Sequence, residues 1–226
     1  MSAPSLPKRS AFLSDRPHHG FIDLLEQLYQ ERALNPFPAG RAIPLRADEV
    51  LVICRGLVQL FTIQQDGSET LLGIAGPSMP IGLPLTTVEP YWATALTDID
   101  LLMLPMAEIE SSPVLTVGLF RNLLLRLQQT EAWLALSGRR LVADRLKQLL
   151  LLLARDFGQV EPGGIRIPIR LTHHQLATAI GTTRVTVTRL LKDFKDEGWM
   201  TVEQRNFVLN TDRSVSKAFS TLLYAP

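Results

Sequence analysis

Apolar residues change their spacing twice along this chain of 226 residues, and each change marks a new kind of element. Phe21, Leu24, Leu25 and Leu28 stand three or one apart, a helical pattern, inside a segment punctuated by Pro4, Pro7, Pro17, Pro36 and Pro38. A loose arm followed by a covering helix is expected over 1–40. From 41 onward the runs shorten and the helical repeat disappears. Stretches at 50–54, 56–63, 70–74, 92–96 and 99–104 read as strands, separated by turn signals such as Asp66-Gly67, Gly76-Pro77 and Pro90. Short strands with close turns predict a sandwich or barrel.

Past Pro113, a residue suited to the first turn of a helix, the spacing returns to threes and fours. Val117, Phe120, Leu124, Leu127, Glu131 and Leu134 make one narrow stripe of the kind that pairs two parallel helices. Glu131 interrupts the stripe. A carboxylate in such a seam needs partners, so it is either a register device in a dimer or, with Arg126 five residues earlier, a ligand contact. A second helix over 141–157 carries the Leu-rich run and stops at Gly158; Pro162-Gly163-Gly164 then breaks the chain before a short strand at 165–169.

The segment 171–194 carries the most specific pattern. Thr172 can cap a helix whose apolar residues are Leu176, Ala177 and Ile180; Gly181 permits a sharp turn, and Thr182 or Thr183 can cap a second helix that packs through Val185, Val187, Leu190, Leu191 and Phe194. On that second helix Thr183, Arg184, Thr186, Thr188 and Arg189 are too polar for a core. Arg184 and Arg189 lie about 140° apart around the axis, so both can reach one groove floor with Val185 between them. Arginine is the usual bidentate partner of guanine, threonine hydroxyls reach phosphates, and a valine methyl meets the thymine methyl. The following 199–209 segment reads as a hairpin wing with Gln204, Arg205 and Asn206 at its tip.

Charge sharpens this picture. The net charge is +1, yet residues 1–138 carry 9 basic and 14 acidic side chains and residues 139–226 carry 14 and 8, which places −5 in the first part and +6 in the second. The basic part contains the helix-turn-helix pattern, as a polyanion partner requires. The longest apolar run, 149–154, is far too short to span a bilayer, and the first twenty residues have no apolar core of a secretory signal. A cytoplasmic protein is expected. Cys54, the single cysteine, excludes an intramolecular disulfide or a cysteine-held metal cluster and reads as a buried structural thiol. His18, His19, His173 and His174 form no metal or triad constellation, so neither catalysis nor a cofactor is expected. Tyr91 and Trp92 read as filling the interior of the β-rich part.

The run Ala179-Ile180-Gly181-Thr182-Thr183-Arg184-Val185-Thr186-Val187-Thr188-Arg189-Leu190-Leu191 resembles the DNA-binding motif of the CRP/FNR superfamily of bacterial regulators, and within it that of the cyanobacterial nitrogen-control regulators. The close match covers 119–210; the order of elements is similar over nearly the whole chain. The resemblance implies an α+β fold: an N-terminal β-roll sensor of the cyclic-nucleotide-binding kind over 41–112, a dimerisation helix over 113–137 and a winged helix-turn-helix over 138–226. It implies a homodimer joined through Val117, Phe120, Leu124, Leu127 and Leu134, which binds a palindromic promoter site and works with RNA polymerase. By position, Arg184, Val185 and Arg189 would read base edges, while Thr172, His174, Thr183 and Thr186 would hold phosphates.

The N-terminal part departs from the family pattern. Cyclic-nucleotide binders carry a Gly-Glu pair and then Arg-Ser or Arg-Thr; here Ile81-Gly82-Leu83-Pro84-Leu85 and Glu89-Pro90-Tyr91-Trp92 stand instead, so cAMP binding is not expected. Nitrogen-control members hold 2-oxoglutarate with a β-roll arginine and an Arg and Glu of the dimer helix. Arg126 and Glu131 match the helix pair, Pro90 or its neighbours replace the roll arginine, and the roll looks shortened near 45–50. Gly82, Leu83, Arg126 and Glu131 are therefore candidates for a changed or absent site for a small anionic effector, with Arg55 or Arg46 as the alternative cation. The competing reading is a small-molecule or protein-contact β-roll module whose DNA binding is constitutive or secondary.

Overall fold

The computed structural model of the protein describes Leu25 and residues 28–210. Phe21 and Leu24 of the expected covering helix, and His18 and His19, lie outside them. Leu25 and Leu28 are buried against Val50, Val52, Leu102 and Leu104.

The N-terminal strands are β1 (Asn35–Phe37), β2 (Glu49–Arg55), β3 (Val58–Ile63), β4 (Glu69–Ala75), β5 (Pro80–Ile81), β6 (Trp92–Ala95) and β7 (Ile99–Pro105). They form two antiparallel sheets, ordered β1-β7-β2-β5 and β4-β3-β6. Leu51, Ile53, Val58, Leu60, Ile81, Ala93, Ile99 and Leu101 fill the space between them. Strand β2 is apolar on both faces because Val50 and Val52 point the other way, into a second cluster under Ile109, Leu115 and Leu119. This explains its unbroken hydrophobic run. Strand β3 begins two residues later than its pattern suggests. Gly56 takes a φ of 85° and is crowded by the Asp98 carbonyl and the Ile99 side chain, so residue 56 belongs to a turn. The short strands β1 and β5 have no sequence pattern of their own.

Trp92 corrects the reading of an aromatic roll interior. Along β6 the small Ala93 and Ala95 face inward, which turns Trp92 outward at 45 % exposure; Tyr91 packs partly buried against the roll core. Cys54 is half-buried beside Tyr29, whose hydroxyl it meets, and burial pushes both the thiol and the phenol up from their ordinary pKa values.

Helix α1 (Met106–Ser111) leads into α2 (Pro113–Ser137). The Ser112 side chain accepts from the Leu115 amide, and Pro113 occupies the first turn, where its missing N–H is harmless. Leu115, Leu119 and Leu136 are buried on one side of α2, while Val117, Phe120, Leu124, Leu127 and Leu134 stand 42–73 % exposed on another. The remaining elements are α3 (Val142–Phe157), β8 (Gln159–Glu161), β9 (Gly164–Ile167), α4 (His173–Ile180), α5 (Arg184–Asp196), β10 (Met200–Glu203) and β11 (Asn206–Asn210). Strand β9 stops before Pro168, which has no amide to give a ladder. Its sheet, β10-β11-β9-β8, joins α3, α4 and α5 around Leu146, Leu149, Leu150, Leu176, Val187, Leu191 and Phe194. The architecture is α+β, a β-roll followed by a long helix and a winged helix-turn-helix.

Candidate nucleic-acid interface

Helix α4 starts with a complete capping box. Thr172 Oγ1 accepts from the Gln175 amide at 3.1 Å, and Gln175 Oε1 accepts from the Thr172 amide at 2.8 Å. The helix ends at Gly181, whose φ of 63° and ψ of 56° lie in the left-handed region that a side chain would strain. Thr183, rather than Thr182, then caps α5, its Oγ1 accepting from the Thr186 amide at 3.2 Å. The two helices lock through Leu176, Ala177 and Ile180 against Val187 and Leu191. Outside this contact, His173 Nδ1 lies 2.8 Å from Thr188 Oγ1.

The same packing decides what α5 presents to solvent. Val187, Leu191 and Phe194 go inward, so Arg184, Val185, Thr188 and Arg189 are left outward. Val185 corrects the sequence expectation in part: assigned both to packing and to base contact, it is 79 % exposed and lies outside the buried core. Among the described residues, Arg184 and Arg189 have no ion-pair partner, so both guanidiniums are available to bases. Thr172, His174 and Thr183 are exposed and Thr186 half-buried around the N-terminal ends of α4 and α5, where free amides and helix dipoles favour phosphate. The Thr183 and Thr186 hydroxyls lie 3.0 Å apart.

Two lysines escaped the sequence reading. Lys192 and Lys195 extend the exposed face of α5 and, with His173, Thr188, Asp196, Val202 and Phe207, line a hollow of about 380 Å³ between the recognition helix and the wing. Lys192 stands four after Thr188 and three after Arg189, and Lys195 three after Lys192; those offsets were the available signal. At the wing, Gln204 and Arg205 form the two-residue turn with φ of 48° and 68°. Both adopt the left-handed region without being glycine, at a cost of roughly 1 kcal/mol or more each. Asn206 corrects the expected tip: it is buried, 8 % exposed, as the first residue of β11.

The candidate effector residues divide. Arg126 Nη1 donates to the Pro80 carbonyl at 3.0 Å, which brings the helix arginine against the Pro80–Ile81 strand and so next to Gly82 and Leu83. Gly82 is buried at a φ of 150°, and a Cβ there would stand 3.0 Å from the Glu49 carbonyl. Leu83 opens a 3-10 turn, Leu83–Leu85. Glu131 is not part of this cluster, for it lies on the exposed stripe of α2. The alternative cations are engaged at the roll surface, Arg55 with Asp100 at 2.9 Å and Arg46 with Asp48 at 3.1 Å. No lysine or arginine occurs between Arg55 and Arg121. Among the described residues, no group of three or more His, Cys, Asp or Glu side chains is placed to hold a metal ion, and no helix is long and apolar enough to cross a membrane.

A β-roll, a long helix with an exposed apolar stripe and a winged helix-turn-helix with exposed arginines on its second helix together define a DNA-binding regulatory protein. Residues 144–215 match the Crp-like helix-turn-helix domain family. The global nitrogen regulator of Synechocystis sp. is 32 % identical over 183 residues, 77 % of this chain and 81 % of that protein. The regulatory protein CysR of Synechococcus elongatus is 31 % identical, over 81 % of this chain and 83 % of its own. Among solved structures, a CRP-family transcriptional regulator of Thermus thermophilus superimposes with a TM-score of 0.69 at 22 % identity, covering 85 % of this chain and all of that one. The chain belongs to the CRP/FNR family of transcription regulators, and it is a DNA-binding regulator of that type.

Proposed function

We propose that the protein acts as a homodimer on a palindromic promoter site and that its effector pocket has diverged from those of its relatives. The observation that carries the dimer is the stripe on α2: Val117, Phe120, Leu124, Leu127 and Leu134 fall on a three- and four-residue repeat, with Glu131 in its remaining place, and the folded chain leaves all of them exposed. Unpaired apolar surface at that repeat is what a second parallel helix covers. Two copies of α2 side by side carry two recognition helices, and dimers of this motif read half-sites about one DNA turn, roughly 34 Å, apart. Arg184, Val185 and Arg189 then face base edges; Thr172, His174, Thr183 and Thr186 face phosphates, helped by Lys192 and Lys195.

This reading divides the chain into an arm (1–40), a sensor roll (41–112), a dimerisation helix (113–137) and a DNA-binding domain (138–226). It places the protein in the cytoplasm, bound to promoter DNA and working on RNA polymerase rather than as an enzyme. Where α2 meets the roll, Arg126, Gly82 and Leu83 offer an anion one guanidinium beside the Pro80 backbone. Glu131, exposed on the same stripe, falls in the dimer seam of this arrangement. Selection from random duplexes tests the reading. A palindrome with half-sites one turn apart is expected; enrichment of single half-sites would overturn the dimeric arrangement.

A further inference from the structure

The helix-turn-helix unit is docked on its own roll. Leu57 and Ile74 of the roll share one apolar core with Leu149, Leu153 and Leu176 of the C-terminal part. Gly76 allows the closest approach, since a Cβ there would stand 2.9 Å from the Phe157 ring. Beside this contact, Gln175 Nε2 donates to Gln59 Oε1 at 2.6 Å across the two parts of the chain. Gln59 lies on β3 and is only 6 % exposed. The other end of the Gln175 amide is the acceptor that caps Thr172, so one side chain joins a roll strand to the DNA-facing end of α4.

We propose that Gln59, although it belongs to the roll, is a positioning residue for DNA binding: its bridge to Gln175 sets the orientation of the reading head relative to α2. Apolar packing alone is non-directional and tolerates sliding. A part-buried hydrogen bond between two side-chain amides does not, because any shift leaves the Oε1 acceptor of the buried Gln59 without its donor. The covalent link between α2 and α3 is only the short segment 138–141, which leaves the orientation to the docked surfaces. Orientation is worthless for one half-site and decisive for two at a fixed spacing.

The inference rests on the dimeric, palindrome-reading arrangement, and the experiment separates the two. Full-length protein and its Q59M variant, which keeps the side-chain volume but removes the acceptor, are titrated against the selected palindrome, against a duplex with one half-site, and against palindromes with one or two extra central base pairs. The expected result for Q59M is about tenfold weaker binding to the palindrome, unchanged binding to the single half-site, and a smaller penalty for altered spacing. Q59E retains an acceptor for Gln175 and is expected to restore the spacing preference; Q59A provides a second acceptor-free variant should Q59M fail to fold. Wild-type spacing preference in a folded acceptor-free variant would overturn the proposal, as would an equal loss on both duplexes. Failure of the dimeric reading looks different: the unmodified protein would not prefer the palindrome to a half-site.

Discussion

Arg126 of the long helix donates to the backbone carbonyl of Pro80, 3.0 Å away, while Glu131, five residues further along the same helix, stays on its exposed side. Five residues turn a helix by about 140°, so the two side chains of the family's helix pair face different neighbours within one chain. Any ligand gripped by both must lie at the edge of α2, where the proposed dimer would place a second copy.

That placement leads to the first prediction. A dicarboxylate held in a partly buried site needs a second cation, and the roll has no lysine or arginine between Arg55 and Arg121. 2-Oxoglutarate is therefore expected to bind weakly or not at all, with DNA binding at least partly independent of it. Calorimetric titration checks this; a stoichiometric micromolar response abolished by Arg126→Ala would contradict it.

Arg184 stands exposed at the start of α5, with no ion-pair partner among the described residues. Arg184→Ala is expected to lower affinity for the selected palindrome by roughly 1–3 kcal/mol per half-site and to relax the preference at one guanine. Anisotropy titrations against single-base variants measure both. A selected site bound as tightly as by wild type would mean that another residue makes the contact.

Val185 is 79 % exposed on the same face and carries no acceptor for a cytosine amino group. Val185→Glu should move the preferred half-site toward a G·C pair at one step, with the other positions unchanged. Unaltered base preference in a random-duplex selection would remove Val185 from the readout.

Leu127 is 54 % exposed within the α2 stripe. Leu127→Glu places one carboxylate against its symmetry mate in the seam, so the variant should sediment as a monomer and lose binding to the palindrome, while its melting temperature changes little at low dimer occupancy. Dimeric sedimentation of the variant at micromolar concentration would move the interface elsewhere.

Burial beside Tyr29 holds the Cys54 thiol above its ordinary pKa and keeps thiolate scarce. Alkylation of the folded protein near pH 8 should be much slower than that of the denatured chain. The sign for stability follows: the protonated thiol and phenol favour the folded state at neutral pH, and that contribution is lost as pH rises through their raised values. Urea melts at pH 7 and pH 10 compare them, and equal midpoints would contradict it.

Local patterns were enough to identify the reading head. Thr172, Gly181 and Thr183 act on their immediate neighbours, through a cap, a left-handed turn and a second cap, so short-range chemistry dictates α4, the turn and α5. The three- and four-residue repeat of α2 likewise follows from a face that must stay apolar. Other features have no local signature. Strand β5 is two residues long and exists because β2 supplies its ladder. Trp92 points outward because Ala93 and Ala95 fit the sheet interior. Arg126 and Glu131 look like a pair in sequence, yet helix rotation parts them, and Gln59 meets Gln175 only because the roll and the helix-turn-helix unit share a core. Sequence alone thus determined the longer strands, the long helices and the helix-turn-helix, since their spacing and caps depend on a few neighbouring residues. Tertiary structure decided which faces meet, because residues 116 positions apart come into hydrogen-bond contact only through the packing of everything between them.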